Sequence, residues 1–210
     1  MLEFLTWLGH AAFRLTADAT VIYIDPFQIQ RRETADLILI THDHFDHCSP
    51  DDIARLRGPA TTIVAPPAAA QKIGGPVTTI KPGDRLTLKG IPLEAVPAYN
   101  LTKFRAPGQP FHPRAAGGVG YILTVAGQRV YHAGDTDPVP EILGLQVDVA
   151  LLPVSGVYVM TAEEAADLAN RLRPKVAVPM HYGAIVGSEA DARRFQQLAR
   201  VPVQILPRQA

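Results

Sequence analysis

The chain opens in short apolar runs rather than long amphipathic stripes. Leu2, Phe4 and Thr6 alternate with Glu3, Leu5 and Trp7; Gly9-His10 marks a turn, and Ala12 to Leu15 reads as a second strand. Val21–Ile24 and Leu37–Ile40 are compact blocks of branched apolar residues, ending at Asp25-Pro26 and at Thr41-His42. Their length and composition predict buried strands. Ser49-Pro50-Asp51-Asp52 has the marks of a helix start: a Ser cap, Pro at the first position and acids in the first turn. That helix is expected to stop at Gly58-Pro59. Strand and helix then alternate, with strands near 61–65, 77–80, 85–88 and 93–97 and a short helix near 68–73.

Residues 99–118 are rich in Pro, Gly and charge and predict a long structureless loop, of the kind that serves as a lid or binding loop. Beyond it, 119–125 and 129–132 predict a hairpin around Ala126-Gly127-Gln128, and 147–152 a strand. Thr161 caps a helix running to Arg171, with Glu164 completing a capping box. A strand at 176–180, a Ser188-capped helix to Ala199 and a last strand at 203–206 follow. This order of elements predicts an α/β protein in which two sheets pack together with helices outside.

Composition sets bounds on that picture. With 210 residues, 47% of them hydrophobic, the chain can form one compact domain over 1–210 with a large core. Twenty basic residues balance 20 acidic ones, which argues against binding nucleic acid by a broad basic surface. Cys48 is the sole cysteine, so no intrachain disulfide can form. No apolar run reaches membrane-spanning length, and Met1–Leu15 lacks the basic start of a signal peptide. The expected location is the cytoplasm and the expected partner a small molecule, with homo-oligomerisation left open.

The chemistry concentrates in Thr41-His42-Asp43-His44-Phe45-Asp46-His47, where three histidines and an aspartate follow a buried strand within six positions. His42 and His44 are two apart, so in extended backbone they face the same way and can bind one ion. Asp46 and His47 follow where the chain turns and can face a second ion alongside. Imidazole and carboxylate donors suit zinc, with iron or manganese as alternatives. Two further strand ends add candidates. Asp135 follows Gly134 in Tyr131-His132-Ala133-Gly134-Asp135; it can bridge two cations or bond its own turn. His181 ends the strand in Val178-Pro179-Met180-His181 and is open between a ligand and a structural role.

His42-x-His44-x-Asp46-His47, then Asp135 after Gly134, then His181, with Asp25 at an early strand end, resembles the metallo-β-lactamase superfamily. The strings Trp7-Leu8-Gly9-His10-Ala11, Asp25-Pro26-Phe27, Tyr131–Thr136 and Pro179-Met180-His181-Tyr182 are similar to its UlaG-like, metal-dependent hydrolase branch. The resemblance implies a four-layer αββα sandwich of two mixed sheets with metals at one edge between them. It implies that His42 and His44 hold one metal, that Asp46, His47 and His181 hold a second, and that Asp135 bridges. The family supplies one more histidine to the first metal, after a strand midway between the cluster and the bridging Asp; here Asn100 stands in that place. His112, in the long loop, is open between ligand, substrate contact and exposed residue.

Supporting roles are assigned to Asp25, expected to orient a ligand histidine through its far nitrogen, and to His132 and His10, each open between supporting the site and a structural place. Cys48 reads as a packed thiol. The expected mechanism is attack by a water acidified between two cations on a carbonyl or phosphoryl centre, with Asp46 or Asp135 taking a proton. Lys103, Arg105 and Arg114 could meet an anionic group of the substrate or simply be solvated. Tyr158 and Tyr182 could approach the site or pack. Two alternatives remain: a metal-dependent nuclease or phosphodiesterase on the same fold, and a non-enzymatic metal-binding module.

Overall fold

The computed structural model of the protein describes residues 2–30 and 33–209. The first half begins as an antiparallel meander, β1 (Leu5–Gly9), β2 (Ala12–Ala17) and β3 (Thr20–Ile24), then turns parallel with β4 (Ala35–Leu39), β5 (Arg57–Ala65) and β6 (Thr78–Thr79). Helix α1 (Pro50–Leu56) joins β4 to β5, and α2 (Pro67–Ile73) joins β5 to β6. The second half has β7 (Arg85–Leu88), β8 (Ile91–Pro97), β11 (Val119–Val125) and β12 (Gln128–His132) as its antiparallel part. It continues in parallel with β13 (Val149–Pro153) and β14 (Val176–Met180), which α3 (Ala162–Leu172) connects. Helix α4 (Glu189–Leu198) follows, and a small hairpin of β9 (Phe104–Ala106) and β10 (Gln109–Pro110) lies between β8 and β11.

Alternation along the strands builds the layers. In β3 and β4, Ile22, Ile24, Leu37 and Leu39 join a large core shared with Leu93, Tyr121, Leu123 and Leu151 of the second sheet. Their neighbours Tyr23, Ile38 and Ile40 face the other way, onto Ile53 and Leu56 of α1 and Ala69 of α2. On the far side, Ala165, Leu168 and Phe195 of α3 and α4 close the core. The result is the mixed α/β sandwich with helices outside that the order of elements predicts. The starts of α1, α3 and α4 follow their sequence signals. Ser49 accepts from the Asp52 N–H, and Thr161 with Glu164 and Ser188 with Asp191 form capping boxes. Among the described residues no helix is long and apolar enough to cross a membrane.

Four expectations need correction. The 99–118 segment is not structureless: it contains the β9–β10 hairpin and a 3₁₀ turn at Arg114–Ala116. The β5 strand starts at Arg57 and runs through Gly58-Pro59, because Pro lacks only the donor that an exposed strand start can spare. The first strand begins at Leu5, not Leu2, since Leu5 N–H closes a turn on the Leu2 carbonyl. The strand expected at 203–206 reduces to one bridge between Val203 and Ala177, with β14 already paired to β13 on its other side.

Candidate metal centre

The strand tips converge at one edge of the sandwich. His42 to His47 leave the carboxyl end of β4, Asp135 the end of β12, and His181 the end of β14. The two sheets are tied there by backbone: the His181 N–H donates to the His10 carbonyl (2.9 Å), and Val119 N–H to the Thr41 carbonyl (3.0 Å). Gly134 lets β12 turn out towards the cluster. Its φ is +64°, and a Cβ there would sit 2.8 Å from the Val119 carbonyl oxygen. Three non-glycine residues at this edge hold left-handed backbone: His10 (φ 50°), Asp25 (φ 46°) and His181 (φ 61°). Such conformations cost energy and persist where the surroundings over-determine them, commonly at functional sites.

The side chains meet at short range. The Asp135 carboxylate lies 3.1 Å from His181 Nε2, 3.3 Å from His112 Nε2, 3.2 Å from His47 Nε2 and 3.9 Å from His42 Nε2. Asp46 Oδ2 is 2.9 Å from His10 Nε2 and 3.9 Å from His181 Nε2. Three sets have donor atoms within 4.8 Å of one another: His42, His44 and His112; His10, Asp46, His47 and His181; and His42, His47 and Asp135. Proximity does not satisfy these atoms. His42 Nε2, His47 Nε2, His181 Nε2, Asp135 Oδ1 and His10 Nδ1 are buried and close no hydrogen bond. Unpartnered buried donors and acceptors are rare and costly. An inward-facing group of imidazole nitrogens and carboxylates with nothing to bond therefore fits cations.

The far nitrogen of several rings is held. His47 Nδ1 donates to Asp25 Oδ2 (2.7 Å). The Thr41 hydroxyl donates to the same carboxylate (2.6 Å) and lies 3.0 Å from His42 Nδ1. Asp25 Oδ1 accepts from the Thr41 N–H (2.8 Å). His181 Nδ1 is 3.1 Å from the Ser155 hydroxyl. Thr41 and Ser155 were not singled out from the sequence; Thr41 is adjacent to the cluster, while nothing local marks Ser155.

Electrostatics follow from burial against partners. Burial pushes the His42 imidazole well below its ordinary pKa, and nearby His47 adds to this. Burial alone would lower His47 too, but the carboxylates of Asp135 and Asp25 outweigh it and hold it well above. Burial would raise Asp135, yet the close imidazoles of His181, His47 and His112 keep it well below the usual carboxylate range. Asp46 is likewise raised by burial and lowered more by the His10 bond and His47, to about 2.

The remaining candidates separate. His112 sits in the cluster. Asn100 does not: its amide faces His112, Tyr158 and Asp137. His10 is part of the site, its ring 4.0 Å from that of His181. His132 is a satisfied core histidine, with Nε2 donating to the Ala11 carbonyl (2.9 Å) and Nδ1 accepting from the Gly134 N–H (3.2 Å); it faces away from the donors because it is the last inward residue of β12. Tyr182 stacks on Trp7 (4.8 Å). Cys48 is buried, its thiol pushed up to about 11 by desolvation. Beside the donors opens a cleft of ≈ 230 Å³, lined by His44, Asp46, His112 and Asp135 on its floor and by Phe45, Phe111, Tyr158 and Ile185 as walls. Two of the loop cations are engaged away from the cleft, while Arg105 packs on one of its wall residues. Lys103 pairs with Glu164 (2.7 Å) and Arg114 with Glu141 (2.7 Å), and Arg105 lies over the Phe111 ring (5.7 Å).

This combination of sandwich and edge cluster defines a metal-dependent hydrolase of the metallo-β-lactamase class, and the chain belongs to that superfamily: the beta-lactamase superfamily domain model matches residues 4–181. Among its relatives, a UPF0173 metal-dependent hydrolase of Methanopyrus kandleri is 32% identical over 210 residues, covering 92% of this chain and 90% of that protein. Another, from Methanoculleus marisnigri, is 34% identical over 200 residues, covering 92% and 87%. The crystal structure of a Parabacteroides distasonis protein superposes with a TM-score of 0.86 at 36% identity, covering 98% of this chain and 93% of that one. Igni18, a metallo hydrolase of Ignicoccus hospitalis, gives 0.75 at 26% identity, covering 98% and 95%.

Proposed function

We propose that the protein uses two divalent cations, zinc by preference, to hydrolyse an uncharged ester or lactone bearing an apolar group. The observation that carries this is the convergence of buried, unpartnered imidazole nitrogens and carboxylates from both sheets on one edge. His42 and His44 are the holders of one cation, Asp46, His47 and His181 of the other, and Asp135 lies between the sets. His10 supports Asp46 through its Nε2. Cations bound there supply Lewis acidity, acidifying water and polarising the scissile carbonyl.

The chain's own groups do the rest. Asp135 Oδ1 has no hydrogen-bond partner and is the acceptor for the proton that water sheds as its oxygen bonds to the carbonyl carbon. Asp46 Oδ2 is occupied by His10 and is the second proton acceptor. As the ester C–O bond breaks, the proton passes on to the leaving oxygen. Phe45, Phe111, Tyr158 and Ile185 form an apolar wall for the substrate's body and exclude water from the reacting bond. Among the described residues lining this cleft there is no lysine or arginine, which supports an uncharged substrate over a phosphodiester or nucleic acid.

The test is hydrolysis of p-nitrophenyl acetate, butyrate and octanoate and of bis-p-nitrophenyl phosphate by zinc-loaded and chelated protein. The reading expects kcat/KM to rise from acetate to octanoate, little turnover of the phosphodiester, and loss of activity on chelation that zinc restores. Full activity after chelation, or preference for the phosphodiester, overturns it.

A further inference from the structure

Asn100 stands where the family resemblance implies a histidine, yet the first donor set is not left short. The chain leaves β8, places Asn100 at the strand tip, runs out through the β9–β10 hairpin and returns His112 to the same spot. We infer that His112 Nε2 is the third ligand of the cation held by His42 and His44, and that Asn100 is the positioning residue that aims it. This rests on the two-cation reading above.

The amide of Asn100 is fully used, and its use fixes the imidazole. Oδ1 accepts from the His112 backbone N–H (2.9 Å) and from His112 Nδ1 (2.9 Å). Nδ2 donates to the Tyr158 carbonyl (3.0 Å) and towards Asp137 Oδ1 (3.4 Å), so the amide cannot flip without setting donor against donor. The Asn100 N–H also donates to the His112 carbonyl (2.8 Å), so backbone and side chain of Asn100 together clasp the His112 peptide groups. An amide oxygen only accepts, so His112 Nδ1 carries the proton, and in the neutral imidazole a ligand must be, Nε2 presents a lone pair. That lone pair lies 3.1 Å from His44 Nδ1 and 3.3 Å from Asp135 Oδ2, inside the cluster.

The same construction holds other rings of the centre. His47 has its Nδ1 on Asp25 and His42 its Nδ1 on Thr41, each leaving Nε2 inward. Holding the outer nitrogen is how ligand histidines are oriented and made more basic. His112 shares that arrangement although it comes from a loop, whereas the core histidine His132 spends both ring nitrogens on backbone groups. Because Phe111 precedes His112 and walls the cleft, the Asn100 contacts that fix His112 also fix one wall of the substrate site.

The experiment reads metal, not turnover. Native protein, His112→Ala, Asn100→Leu, Asn100→Asp and the double variant Asn100→His/His112→Ala are loaded with cobalt. Cation stoichiometry and affinity come from elemental analysis and chelator competition, and exchangeable imidazole N–H resonances from paramagnetic proton NMR. Native protein is expected to hold two cations. His112→Ala should weaken one of them at least a hundredfold, and Asn100→Leu should weaken the same one on the order of tenfold to a hundredfold while losing one exchangeable N–H signal. Asn100→Asp, which keeps the acceptor, should retain that signal. The double variant, which returns a histidine to the strand tip, should recover affinity to within about tenfold, and that gain cannot come from a misfolded chain. Two cations bound by His112→Ala with affinities within threefold of native overturn the inference while leaving the hydrolase reading standing. A native protein that binds no cation overturns both.

Discussion

In the first sheet, four donor candidates leave one strand tip together: β4 ends, and His42, His44, Asp46 and His47 follow within six residues before α1 begins at Pro50. In the second sheet, Asp135, His181 and His112 come from three separate places, two strand tips and the long excursion over 98–118 between β8 and β11. Both sheets have an antiparallel part that turns parallel, so the strands themselves do not explain the difference. What differs is the support. The first group is held by one buried carboxylate, Asp25, which takes the Thr41 N–H, the Thr41 hydroxyl and His47 at once. The second is held by scattered local contacts: Ser155 under His181, Asn100 under His112, and Asp137 under the start of the loop. A compact motif tolerates little change at a single anchor, whereas a dispersed one fails piece by piece.

That contrast can be broken at its seam. Asp135 lies close to donors of both groups, within 3.9 Å of His42, His47, His112 and His181, so Asp135→Ala should reduce kcat/KM on the order of a thousandfold while circular dichroism stays native. An effect below tenfold means that the two halves do not act as one centre. Next in size is Asp25→Ala, which orphans the Thr41 N–H and His47 Nδ1 together. Unfolding by denaturant should show a loss of roughly 3 kcal/mol, and cation affinity should fall about tenfold to a hundredfold.

Asp137→Ala probes the dispersed half. Its buried carboxylate accepts from the Leu101 N–H (2.7 Å), the Thr102 N–H (2.7 Å) and the Thr102 hydroxyl (3.1 Å). Removing it should cost about 1–3 kcal/mol and speed amide hydrogen exchange across 99–118 while leaving 41–47 protected; uniform deprotection would erase the distinction drawn between the two regions. The smallest effect is expected at the rim. Phe45 is 62% exposed and walls the cleft. Phe45→Ala should raise KM for an octanoyl ester roughly three- to tenfold, with little change for the acetyl ester and none in cation content.

Legibility in the sequence follows the same division. The His42–His47 cluster stood out because its donors are adjacent and follow a recognisable buried strand. Asp25, Asp135 and His181 were found at strand ends, where period-two apolar runs stop. His10 was placed between structure and site because a lone histidine in a turn carries no local sign of its neighbours; the backbone bond from His181 to His10 brings its ring into the cluster. His132 closes β12 and faces Ala11, whereas Asp135 lies beyond the strand, where the left-handed turn at Gly134 redirects the chain towards the cluster. The loop cations could not be assigned, because their acidic partners, Glu164 and Glu141, are remote in the chain.

By itself the amino-acid order determined the alternating strands, the capped helices and the presence of a histidine- and aspartate-rich string, because these depend on neighbours a few bonds apart. The tertiary structure decided which distant tips meet, that Asn100 clasps His112 instead of standing in its place, and that the cleft walls are apolar. Those outcomes depend on how two sheets register and on where a long loop returns, and no local rule of propensity or spacing encodes either.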